Sequence, residues 1–90
     1  MEIEGPDKRM PKILIIDDDP TFSTQLSSYI DEMELEWDRA ENLCDGLELA
    51  GQREYDIVFL DIFLPDGSGL EGISVLKQSP SFPEVLIITA

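Results

Sequence analysis

Ninety residues, 42% of them apolar and 8% aromatic, suffice for one small domain with a real core and leave no room for a second. Twenty acidic side chains against six basic ones give a net charge of −14, which repels nucleic acid and anionic membrane and favours cations and basic partners. With no histidine, His-bearing zinc sites and Ser–His or Cys–His nucleophile pairs are excluded; the single cysteine, Cys44, excludes an internal disulfide framework and fits a reducing compartment.

Residues 1–11 carry two prolines and a glycine among charges with no periodicity, which predicts a flexible leader. No signal peptide opens the chain, and no run approaches the roughly 18 consecutive apolar residues of a membrane span. Lys12–Ile16 is short and rich in isoleucine, the pattern of a strand buried on both faces of a parallel sheet. Pro20 suits the first turn of a helix whose apolar positions are Phe22, Leu26, Tyr29, Ile30 and Met33. Residues 35–40 alternate as an exposed or edge strand, with Trp37 covering a helix. Asn42 is a candidate cap for a helix that turns Leu43, Leu47 and Ala50 inward and carries an unactivated Cys44. The acids of residues 31–38 read as a solvated helix end and strand.

Residues 56–61 predict a second buried strand ending in a carboxylate, and 64–69 a turn set by Pro65 and Gly67. A helix over 70–78 should face Leu70, Ile73 and Leu76 inward; residues 79–83 break it, and 85–88 form a last apolar strand. The β-α-β-α-β-α-β order predicts an α/β fold with a doubly wound parallel sheet. In such folds ligands gather at the carboxyl ends of the strands, which singles out Asp17, Asp18, Asp19, Asp61 and Thr89. Converging carboxylates repel unless a cation is present, and magnesium prefers such hard oxygen ligands. A carboxylate beside that cation can attack phosphorus and form an acyl phosphate.

Ile13-Leu14-Ile15-Ile16-Asp17-Asp18-Asp19-Pro20, Asp56-Ile57-Val58-Phe59-Leu60-Asp61, Leu64-Pro65-Asp66-Gly67-Ser68-Gly69-Leu70 and Leu86-Ile87-Ile88-Thr89-Ala90, in that order, resemble the receiver domain of bacterial two-component response regulators. The resemblance spans residues 12–90, and the third motif is similar to the variants of NtrC-like transcriptional activators. It implies a flavodoxin-like sheet of order 2-1-3-4, with the family's fifth β/α unit, its lysine and its switch aromatic missing from this chain. Strand four would then be an apolar edge open to self-association. The resemblance further implies a cytoplasmic signalling module, not an enzyme beyond its own Mg2+-dependent phosphorylation and dephosphorylation. Asp61 would be the phosphoacceptor and Thr89 the switch hydroxyl, with the small Ala90 leaving room for the phosphoryl group. Asp17, Asp18, Asp61 and the backbone carbonyl of Phe63 would hold Mg2+. A sensor histidine kinase or phosphotransfer protein would be the partner and an output domain would lie beyond residue 90, with no nucleic acid or membrane contact by this chain. Two alternatives use the same residues. Asp17-x-Asp19-x-Thr21 resembles the opening motif of haloacid-dehalogenase-type phosphatases, with Asp17 as nucleophile, Asp19 as general acid and Thr89 as second motif. A degenerate receiver-like interaction module is the other.

Overall fold

The structure, a computed structural model, describes residues 11–88. Most of the expected leader, Thr89 and Ala90 lie outside the described residues. The chain runs β1 (Lys12–Ile16), α1 (Pro20–Glu32), β2 (Glu36–Ala40), α2 (Leu43–Gln52), β3 (Ile57–Asp61), a miniature hairpin β4 (Phe63–Leu64) and β5 (Gly67–Ser68), a 3-10 turn (Gly69–Gly72), α3 (Ile73–Lys77) and β6 (Glu84–Ile88). The main sheet has the order β2-β1-β3-β6 and is wholly parallel, with Ile13 opposite both Trp37 and Ile57, and Phe59 opposite Leu86. This is the predicted 2-1-3-4 order, β6 being the fourth strand of that sheet.

Strand alternation sends side chains to two layers. Leu14, Ile16, Ala40, Val58 and Leu60 pack with Leu43 and Ala50 of α2 and Leu76 of α3. Ile13 and Ile15 face the other way onto Ile30 of α1, with Leu26, Trp37, Ile57 and Phe59 around them. Trp37 covers α1 as expected and donates from Nε1 to Asp31 Oδ1 at 2.8 Å. No described helix is long and apolar enough to cross a membrane.

Two local expectations are corrected. In α1 the buried residues are Ser23, Ser27 and Ile30, whereas Tyr29 and Met33 are exposed. Small hydroxyls let the helix lie close to the sheet, and the Ser27 hydroxyl finds a partner in the Thr24 carbonyl at 3.1 Å. The turn expected over 64–69 is present, with Pro65 and Asp66 at the tip of a miniature hairpin that pairs Phe63 with Ser68 and Leu64 with Gly67. The helix expected over 70–78 begins as a 3-10 turn and is α-helical only at Ile73–Lys77, with Leu70 exposed. Ile73 and Leu76 pack on the core as expected, and Gly69 and Gly72 complete the inward face because the backbone at those two positions approaches its neighbours too closely for larger side chains. The fourth strand is the apolar edge expected of it: Leu86 and Ile87 of β6 are 47% and 41% exposed at the edge of the sheet.

Candidate functional site

Parallel pairing of β1 with β3 brings Asp17, just past β1, to the same end of the sheet as Asp61, the last residue of β3. The Asp17 amide prolongs the ladder to β2, donating to the Ala40 carbonyl at 3.0 Å. Its carboxylate is turned inward, only 3% of the residue being exposed, and Oδ1 accepts the Asp19 amide at 3.1 Å. Asp19 then caps α1: its Oδ1 accepts the Thr21 amide at 2.9 Å, with Pro20 in the first turn. Asp18 is left exposed between them. One carboxylate oxygen from each of Asp17, Asp18 and Asp61 lies within 4.8 Å of the others.

Burial pushes the Asp17 carboxyl above the ordinary carboxylate range; the Asp19 amide pulls it back in part, and the nearby Asp61 and Asp19 carboxyls push it further up. Three crowded carboxylates whose repulsion a divalent ion relieves, offering only hard oxygen donors, fit magnesium by donor chemistry. Asp19 is not among the converging three; its carboxylate is a helix cap, which does not suit the general acid of the phosphatase reading.

The loop after Asp61 is held at several points. The Phe63 amide donates to Asp61 Oδ1 at 3.2 Å, while the Phe63 ring is 73% exposed beside the site. The Gly69 amide closes the hairpin on the Ile62 carbonyl at 2.8 Å. A Cβ at Gly69 would stand 2.0 Å from the Asp61 carbonyl oxygen, so this close approach demands glycine. Gly67 sits at φ 147°, which only glycine adopts readily.

Asp66 was not legible as a functional position in the sequence, where Pro-Asp-Gly marks only a turn. Its Oδ1 accepts the Leu43 amide at 2.7 Å and its Oδ2 the Cys44 amide at 2.8 Å. Asn42 takes the next amide, Asp45, at 2.8 Å, as its predicted capping role requires. The first three amides of α2 are thus satisfied by side chains, and the hairpin that follows Asp61 is tied to that helix. The Leu43 and Cys44 amides hold the Asp66 carboxyl below its usual range.

The model of the response regulator receiver domain matches residues 13–90. The chain belongs to that family. This receiver is 40% identical over 79 residues to the probable transcriptional regulatory protein SilR of Salmonella typhimurium, covering 88% of the chain and 35% of SilR. It is 33% identical over 86 residues to the protein PilH of Pseudomonas aeruginosa, covering 89% of the chain and 69% of PilH. Among solved structures, a response regulator from Burkholderia pseudomallei with a phosphorylated aspartic acid, calcium ion and citrate superposes with a TM-score of 0.80 at 28% identity, covering 88% of this chain and 46% of that one. The receiver spans about a third of the length of SilR and less of the response regulator PilR, 18%. Its sheet order is that of the flavodoxin-like receivers of two-component systems.

Proposed function

We propose that this receiver accepts a phosphoryl group on Asp61 from the phosphohistidine of a sensor kinase or phosphotransfer protein, in the cytoplasm, and passes the change on to an output. The observation that carries this reading is the convergence of Asp17, Asp18 and Asp61 at the carboxyl end of the sheet. An Asp61 carboxylate oxygen attacks phosphorus, the N–P bond breaks, and an acyl phosphate forms. Asp17, Asp18, Asp61 and the Phe63 carbonyl would hold magnesium, which supplies charge neutralisation on the phosphoryl oxygens. Thr89 would turn its hydroxyl toward the new group, the local charge change that biases the switch. The chain is a stoichiometric acceptor, not a turnover enzyme. β6 offers an open apolar edge on which a further strand or a second copy would pair.

Acetyl phosphate with magnesium tests the reading. Wild type should incorporate hydroxylamine-sensitive phosphate, and Asp61→Asn should incorporate none, because an amide cannot form the acyl phosphate. Undiminished labelling of Asp61→Asn would move the nucleophile to Asp17. No labelling of wild type by any phosphodonor would make the chain an interaction module.

A further inference from the structure

We propose that Arg39 is a positioning residue for the metal centre: its guanidinium locks the peptide between Asp17 and Asp18 and so aims the Asp18 carboxylate into the pocket. Arg39 is the penultimate residue of β2 and shares the α1-facing parity of Trp37. Its side chain is largely buried, 22% exposed. Nη2 and Nε donate to the Asp17 carbonyl oxygen at 3.0 and 3.2 Å. Nε also donates to the hydroxyl of buried Ser23 at 2.9 Å, and Nη1 to Glu41 Oε2 at 3.3 Å. One guanidinium therefore ties the end of β1, the first turns of α1 and the loop before α2.

The choice of acceptor matters. A guanidinium placed on the Asp17 or Asp18 carboxylate would compete with a cation for the same oxygens. Here the fork takes the main-chain carbonyl instead, bringing positive charge beside the acidic pocket without occupying it. Because the peptide is planar, fixing the Asp17 carbonyl also fixes the Asp18 amide and the direction of its Cα. With the Asp17 amide on Ala40 and the Asp19 amide on Asp17 Oδ1, the acidic turn has one arrangement. Ligand-orienting partners of this kind typically change metal affinity by 10- to 100-fold.

The inference rests on the reading that these carboxylates bind magnesium, and the test separates the two. Magnesium is titrated calorimetrically into wild type, Arg39→Gln and Arg39→Lys, and amide hydrogen exchange is followed in the metal-free proteins. Arg39→Gln should bind about tenfold more weakly. Arg39→Lys, which keeps the charge but loses the fork, should fall between and serves if Arg39→Gln does not fold. Exchange at Asp19, whose amide is held on Asp17 Oδ1, should quicken in both variants without magnesium, a change that loss of charge alone does not produce. Wild-type magnesium affinity in a folded variant overturns the inference, as does weaker binding with unaltered exchange at Asp19. Wild type that binds no magnesium overturns the metal reading and this one with it.

Discussion

At the level of single residues, the loop behind Asp61 depends on contacts that leave little freedom. Gly69→Ala would drive a methyl group into the Asp61 carbonyl, which is backbone and cannot swing aside. Overpacking of this kind destabilises by about 1–3 kcal/mol. Urea melts should show that loss, and phosphate labelling of the folded fraction should fall as Asp61 shifts. Asp66 gives a pH signature. Its carboxyl, held below the ordinary value of 3.8 by two amides, stabilises the fold fully above that value and progressively less as pH falls through its lower native one. Asp66→Asn removes this charge-dependent part. The gap in melting temperature between wild type and Asp66→Asn should therefore be widest near neutrality and close below about pH 4. A gap independent of pH would mean that the carboxylate's charge contributes nothing.

Among the elements, the strands were the most legible in the sequence, since a buried parallel strand advertises itself as a short aliphatic run closed by a polar residue. Lys12–Ile16 and Ile57–Asp61 read in this way, and their ends delivered Asp17, Asp18 and Asp61 as candidates. In α2 the cap Asn42 and the inward Leu43, Leu47 and Ala50 were legible, but α1 and the segment leading into α3 were less so because burial there followed closeness of approach, not hydrophobicity: Ser23, Ser27, Gly69 and Gly72 face inward while Tyr29, Met33 and Leu70 do not. Arg39 and Asp66 escaped notice because their partners lie 22 and 23 residues away, beyond any local pattern. Tyr55 belongs with them. It precedes β3 fully buried, and its hydroxyl donates to Asp38 Oδ2 at 2.7 Å. Burial and the Asp38 carboxylate hold the phenol above its usual range. Burial alone would raise the Asp38 carboxyl, but Tyr55, Lys12 and Arg53 outweigh it and hold it low. Tyr55→Phe should destabilise by about 1.5 kcal/mol, the low end for a hydrogen bond to a charged group, because Arg53 at 3.2 Å remains to Asp38. Equilibrium urea unfolding measures it.

For the molecule as a whole, the acidic pocket is a source of repulsion in a chain already carrying −14. Magnesium bound only to the folded state should raise stability by about 2.7 kcal/mol at a hundredfold excess over Kd. The melting temperature should rise with magnesium in wild type and stay flat in Asp18→Ala. A wild-type melting temperature indifferent to magnesium would count against an assembled pocket.

The two ends of the parallel sheet have different tasks. Where the strands finish, carboxylates crowd together and tolerate mutual repulsion. Toward their beginnings, Lys12, Glu36, Asp38, Arg53 and Tyr55 form a charge-balanced cluster that clamps β1, β2 and the approach to β3. The cluster at the beginnings of the strands therefore stabilises the sheet at a distance from the carboxylate pocket. A protein engineer could reinforce the Lys12–Asp38–Tyr55 end to make a hardier scaffold without altering the Asp17, Asp18 and Asp61 carboxylates.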